Sequence, residues 1–148
     1  VIHDVGKIKT PDAILHKPGR LTEEEFEIMK QHAEDGAEML RSVAGTAPIV
    51  PVMRHHHERF DGQGYPDRLA GGQIPVLSRM LAICDAFDAM TTHRCYREPF
   101  SLKDCLLELR RCAGTQFDPI MCEAFFDFIY ERFGFSLDDD DLLLAEAT

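Results

Sequence analysis

The sequence predicts an all-α fold, and three observations carry that expectation. Apolar residues recur at helical spacing behind N-terminal caps at Thr22, Ser101 and Asp118. No run alternates apolar and polar residues as a half-buried strand would, and no segment repeats internally. With 148 residues and 45% apolar content, the chain suits one compact domain with a real core.

The elements follow in order. The opening VIHDVGKI reads as the middle of a structured element, and without an initial Met or a signal-peptide pattern it suggests a fragment of a longer protein. A turn-rich stretch holding Pro11, Pro18 and Gly19 leads to a capping box, Thr22 with Glu25, and an apolar stripe of Phe26, Met29, Ala33, Ala37 and Leu40. This predicts a helix over 22–42, and a second is expected over 46–58. The Gly/Pro-rich stretch from Phe60 to Ile74 breaks the pattern. Pro75 suits a first helical turn, and the segment after it carries Leu77, Leu81, Cys84 and Phe87 or Asp88 at helical spacing. Ser101 with Asp104 opens another helix to about 112, and Asp118 with Pro119 opens the last, with Ile120, Phe125, Phe128 and Ile129 on its apolar side. Asp138 to Asp141 form a like-charge run, expected as a solvated end.

Composition excludes several classes. The five cysteines are odd in number and contain no C-x-x-C pair, which argues against a disulfide framework or a thiolate zinc site and fits a reducing, cytoplasmic setting. A formal charge of -10 argues against nucleic-acid polymers and anionic membranes as partners. No apolar run approaches the roughly 20 residues of a membrane span. An anionic ligand would therefore need local cations or metal ions.

Four separated segments each present an imidazole or carboxylate: His3 with Asp4, His32, the run His55 to His57, and Asp85 with Asp88. Asp85 and Asp88 stand three apart, on one face of a helix, and both interrupt an apolar stretch. Carboxylates beside a core are costly unless paired, hydrogen-bonded or metal-bound. Each feature also has an ordinary reading: His32 as a packed helix residue, His3 and Asp4 as surface polarity, the carboxylates as partners of Arg79, Arg94 or Lys7, and the triple His as an exposed helix end. Taken together, the mixed nitrogen and oxygen donors without sulfur suit iron, manganese or zinc better than calcium or magnesium.

Seven blocks in order, HDVGK at 3–7, ILHKPGRLTEEE at 14–25, HAEDG at 32–36, HHERFDGQGYP at 56–66, ICDAFDAMT at 83–91, RCYR at 94–97 and QFDP at 116–119, resemble the HD-GYP domain family. The resemblance implies an HD-type helical bundle over 1–135, lacking its first helices, followed by an acidic tail over 136–148. It further implies a phosphodiesterase that opens cyclic di-GMP to linear pGpG, with further cleavage to GMP left open, in bacterial second-messenger signalling. Its cofactors would be two or three divalent metal ions, usually iron or manganese. Other cyclic dinucleotides, or a non-catalytic interaction module, are the alternatives.

By the same resemblance, His3, Asp4, His32, His56, His57 and Asp85 match the metal ligands, with Asp4 bridging. His56 and His57, adjacent on a helix and so about 100° apart, are expected to face different metals, with His55 a bystander or a residue that supports them from behind. Lys7, Arg94 and Arg97 match the cations that grip phosphate, although Cys95 stands where the family usually has Pro. In the Gly/Pro-rich loop, which could also be purely structural, Tyr65 is expected to stack or to contact a partner, and Asp61 to cap the turn or hydrogen-bond a ligand histidine. A further ligand upstream of Val1, an N-terminal sensor or receiver domain and a homodimer are also implied.

Overall fold

The computed structural model describes residues 2–93, 98–135 and 137. The described residues form helices and turns with no strand; isolated bridges pair Asp61 with Ala70 and Ala113 with Phe117. The chain divides into two compact units, 1–81 and 82–148. Among the described residues, no helix is long and apolar enough to cross a membrane.

The first unit opens with a 3₁₀ helix, Ile2–Lys9, followed by α1 (Asp12–Leu15), α2 (Glu23–Lys30), α3 (His32–Arg41) and α4 (Val50–His55). The expected capping box is complete: Glu25 N–H donates to Thr22 Oγ1 at 3.3 Å, and Thr22 N–H donates to Glu25 Oε2 at 2.7 Å. The helix expected over 22–42 is divided at Gln31 into α2 and α3. At this break the backbone tightens, with Gln31 N–H bonding Ile28 O, and His32 Nδ1 lies 2.6 Å from Met29 O. A side-chain donor on the carbonyl three residues back competes with the regular helical ladder, so the division falls at a candidate ligand.

Only the C-terminal part of the expected stripe is core. Ala33, Ala37 and Leu40 are buried, whereas Phe26 is exposed and Met29 half-buried. Ala37, Leu40 and Met53 form the unit's apolar cluster, with Val5, Ile49 and Val50 packed on it. The opening helix lies directly on α3: a Cβ on Gly6 would stand 2.0 Å from His32 O, and one on Gly36 would stand 3.3 Å from Gly6 N. The second expected helix, over 46–58, is confined to α4, Val50–His55, so His56 and His57 fall just beyond its end.

In the second unit, α5 (Val76–Thr91) continues from Ala82, and α6 (Leu102–Cys112) packs with α7 (Pro119–Phe133). The expected caps are present, Ser101 Oγ accepting from Asp104 N–H and Asp118 Oδ1 from Ile120 N–H. Gly134, at φ 65°, closes α7 in the left-handed conformation that glycine adopts without a Cβ penalty. The core consists of Ile83, Met90, Cys105, Leu106, Leu109, Phe117, Cys122, Ile129 and Leu137.

The expected helix faces need correction here as well. On α5, Phe87 packs on the core as expected, but Leu77 and Cys84 are exposed while Ile83 and Met90 point inward; on α7, Phe125 and Ile129 pack inward as expected, but Ile120 and Phe128 are exposed and Cys122 is buried. Both helices are apolar around much of their circumference, so spacing alone could not choose the inward face. Cys84, Cys105, Cys112 and Cys122 are free thiols. The expected tail at Asp138 to Asp141 lies outside the described residues.

The backbone contact at Gly6 gives a direct test. Gly6→Ala drives a methyl into the α3 backbone and is expected to lower stability by about 2 kcal/mol or more, read as a drop in urea midpoint at unchanged slope.

Candidate metal centre

Three backbone segments of the first unit bring four ligand-type side chains together. Asp4 comes from the opening helix, His32 from the first residue of α3, and His56 and His57 from the turn after α4. One ligand atom from each lies within 4.8 Å of all the others. His3 adjoins them, its Nε2 3.5 Å from Asp4 Oδ2 and its ring 5.4 Å from that of His56.

His56 and His57 converge: α4 stops at His55, and in the turn that follows their ring centroids lie 4.0 Å apart. His55 stands apart from this cluster: Nδ1 contacts Pro51 O at 2.8 Å, and Nε2 contacts Asp67 Oδ2 at 2.9 Å.

The hydrogen bonds determine which imidazole atoms face the centre. His32 Nδ1 lies 2.6 Å from Met29 O, and His56 Nδ1 lies 2.6 Å from Met53 O. A carbonyl oxygen only accepts, so each Nδ1 carries its proton and each Nε2 presents a lone pair. Metal-ligating histidines are commonly oriented in this way. His56 Nε2 is buried with no hydrogen-bond partner, an arrangement that is costly for a polar atom unless a cation meets it. His57 Nε2 lies 3.1 Å from His32 Nε2, a contact in which one imidazole must donate or both must turn to a shared cation. The donor set therefore fits a metal ion.

Electrostatics agree with this fit. Burial is the leading cause that pushes the imidazoles of His32, His56 and His57 below their ordinary range, His56 to about 4 and His57 to about 3, so all are neutral near pH 7. For Asp4 burial pulls upward, but the Lys7 hydrogen bond and charge, with His3 and His32, outweigh it and hold the carboxyl below its usual value. Lys7 Nζ lies 2.7 Å from Asp4 Oδ2, so the expected phosphate-gripping cation stands at the edge of the cluster. Ligands already deprotonated at neutral pH favour metal uptake with little proton release.

Asp85, half-buried, and Asp88, exposed, both lie on α5 in the second unit. Arg94, Arg97 and Cys95 lie outside the described residues. Asp61 caps its own turn, accepting from Gln63 N–H at 3.0 Å and pairing with Arg59, so among the described residues these bonds are local to the loop. Beside His57 opens a cavity of about 780 Å³ whose walls include Phe26 and Lys30 of α2 and Arg59, Tyr65 and Arg68.

Sequence reasoning missed Glu58. It is buried, at 4% exposure, and its carboxylate accepts from Asp67 N–H at 2.7 Å and Leu69 N–H at 3.1 Å. Its only signal was its place between a ligand histidine and a Gly-rich loop. Phe26 was expected in the core, whereas it faces the cavity with its ring 6.3 Å from Tyr65.

The family model described as HD domain matches residues 1–121. The chain belongs to the HD domain family, and all seven blocks that resemble HD-GYP domains fall inside the matched span. It is 44% identical over 128 residues to a cyclic di-GMP phosphodiesterase of Pseudomonas aeruginosa, covering 84% of this chain and 30% of that protein. A cyclic di-GMP phosphodiesterase of Thermotoga maritima is 43% identical over 128 residues, with 84% and 34% covered. The 3'3'-cGAMP-specific phosphodiesterase 2 of Vibrio cholerae is 43% identical over 124 residues, with 82% and 24% covered. The chain thus spans about a quarter to a third of the length of these relatives. A crystal structure of a cyclic GMP-AMP-specific phosphodiesterase from V. cholerae superposes with a TM-score of 0.67 at 18% identity, covering 88% of this chain and 36% of that one, a likeness of fold.

A pH dependence follows from the buried imidazoles. Between about pH 6.5 and 4 the unfolded chain protonates His56 and His57 while the native protein keeps them neutral, so the unfolded state binds more protons. Metal-free protein is therefore expected to lose stability steadily as pH falls through that window. Urea midpoints at pH 7.5 and 4.5 measure this loss, and His57→Ala should reduce it.

Proposed function

We propose that the chain is the catalytic domain, over 1–135, of a metal-dependent phosphodiesterase that hydrolyses cyclic di-GMP to linear pGpG in the bacterial cytoplasm. The observation that carries this reading is the convergence of Asp4, His32, His56 and His57 into one nitrogen and oxygen donor set in a chain 44% identical to a cyclic di-GMP phosphodiesterase. In this reading His3 and Asp85 would join Asp4, His32, His56 and His57 in holding two or three ions, iron or manganese. When bound, such ions activate water and polarise phosphoryl oxygens.

The protein's own residues have separate tasks. The carbonyl bonds at Met29 and Met53 hold His32 and His56 in the tautomer that offers Nε2 inward. Lys7 keeps Asp4 ionised and has further N–H donors for a phosphate oxygen. Arg94 and Arg97 would grip the phosphate with their planar forks, offsetting charge that grows in the transition state. The cavity beside His57, with Tyr65 on its wall, would take the nucleotide extending from the scissile bond. A sensor or receiver domain preceding the catalytic domain, and a homodimer, belong to the same proposal.

The second reading, hydrolysis of 3'3'-cGAMP, is favoured by the 43% identity to a cGAMP-specific enzyme. A panel of cyclic dinucleotides, assayed anaerobically with Fe(II)- or Mn(II)-loaded protein, separates the two. Absence of hydrolysis with either metal would overturn both. Asp4→Ala and His57→Ala are expected to lose bound metal and turnover together, read by elemental analysis beside the assay. Arg94→Ala should keep its metal and lose about 100-fold in kcat/KM.

A further inference from the structure

His57 differs from the other two histidines of the cluster in how it is held. His32 and His56 are each tethered through Nδ1 to a backbone carbonyl, but among the described residues no such bond reaches His57. Its ring is instead covered by Tyr65, stacked at 4.9 Å between centroids with 27° between planes. The Tyr65 backbone is tied to the same residue, its N–H donating to His57 O at 3.3 Å.

This placement is built into the loop. Gly64 is buried against the chain it returns to, where a Cβ would stand 2.3 Å from Arg59 N and 2.5 Å from Glu58 Cα. Glu58 then holds the far side of the turn through the N–H groups of Asp67 and Leu69. Asp67 is also clamped by both ends of the Arg54 guanidinium, at 2.7 and 2.8 Å. Phe26 meets Tyr65 edge-on, and Lys30 Nζ lies 5.7 Å from the Tyr65 ring centroid.

We infer that Tyr65 is a positioning residue for the His57 imidazole, and that the Gly64 turn, pinned by Glu58, holds its ring in place. An imidazole with no Nδ1 bond to a carbonyl is freer to rotate about its outer side-chain bond; an aromatic face laid against it restricts that freedom and aims Nε2 at the cluster. Residues that orient a ligand histidine typically change metal affinity by about 10- to 100-fold when removed. This inference rests on the reading of the cluster as a metal centre.

Titration of the full chain with Co(II), followed by its visible absorption and by competition with a chelator, tests it without an activity assay. Wild-type protein is expected to bind Co(II) and show a ligand-field spectrum. Tyr65→Leu should bind about 10-fold more weakly or worse with an altered spectrum at unchanged far-UV circular dichroism, whereas Tyr65→Phe, which keeps the ring, should match wild type. Glu58→Gln, acting through the loop, should shift affinity in the same direction as Tyr65→Leu. Wild-type affinity and spectrum in Tyr65→Leu would overturn the positioning role while leaving the metal centre standing, and so would an equal loss in Tyr65→Phe. Failure of the wild-type protein to bind Co(II), Mn(II) or Fe(II) would overturn the metal centre and this inference together.

Discussion

The centre depends on how closely the opening 3₁₀ helix lies against the start of α3. With no side chain at Gly6, its backbone reaches the carbonyl of His32, and Asp4, two residues earlier, comes to lie with its carboxylate 3.6 Å from His32 Nε2. A methyl group at that crossing would separate the carboxylate from the imidazole it faces. The third contribution, from His56 and His57, reaches the same point because α4 packs on α3 around Ala37, Leu40 and Met53. A small apolar cluster thus sets the separation of four polar side chains, as expected of a close-packed interior that transmits displacements with little slack.

Burial then shapes the chemistry of what has been assembled. Three imidazoles are kept neutral by desolvation, and two of them are locked into the tautomer with an inward lone pair by backbone carbonyls. Asp4 stays ionised because Lys7 stands beside it. One carboxylate among neutral nitrogens gives a centre able to take cations in a chain whose formal charge is -10. A bound metal would dominate the local field there, which would reconcile an acidic protein with the phosphate-bearing substrate proposed for it.

The loop after His57 belongs to the same construction. Its polar side chains are largely satisfied by one another: Arg59 with Asp61, Arg54 with Asp67, and Glu58 with two backbone N–H groups. Such a network keeps an irregular segment in one conformation, where surface loops otherwise sample several. One wall of the cavity beside His57 is therefore built from a hydrogen-bonded loop, with Tyr65 shared between the wall and the histidine beneath it.

Much was legible in the sequence because it depends on near neighbours. The caps at Thr22, Ser101 and Asp118 and the end of α6 need only local hydrogen bonds, and the histidines and Asp4 stood out by residue type and order. Hidden from it were part of the inward faces of α5 and α7, the break at Gln31 and the buried place of Glu58. A helix apolar on most sides has no preferred face until a neighbour packs on it, and a break caused by one imidazole bond leaves no mark in periodicity. The sequence by itself determined the helical class and offered the candidate donors, since propensity, capping and ligand chemistry are properties of the residues. Tertiary structure alone decided that His56 and His57 converge and that Tyr65 lies on His57. Those distances arise from backbone crossings between segments far apart in the chain, where a glycine's missing methyl counts for as much as any ligand.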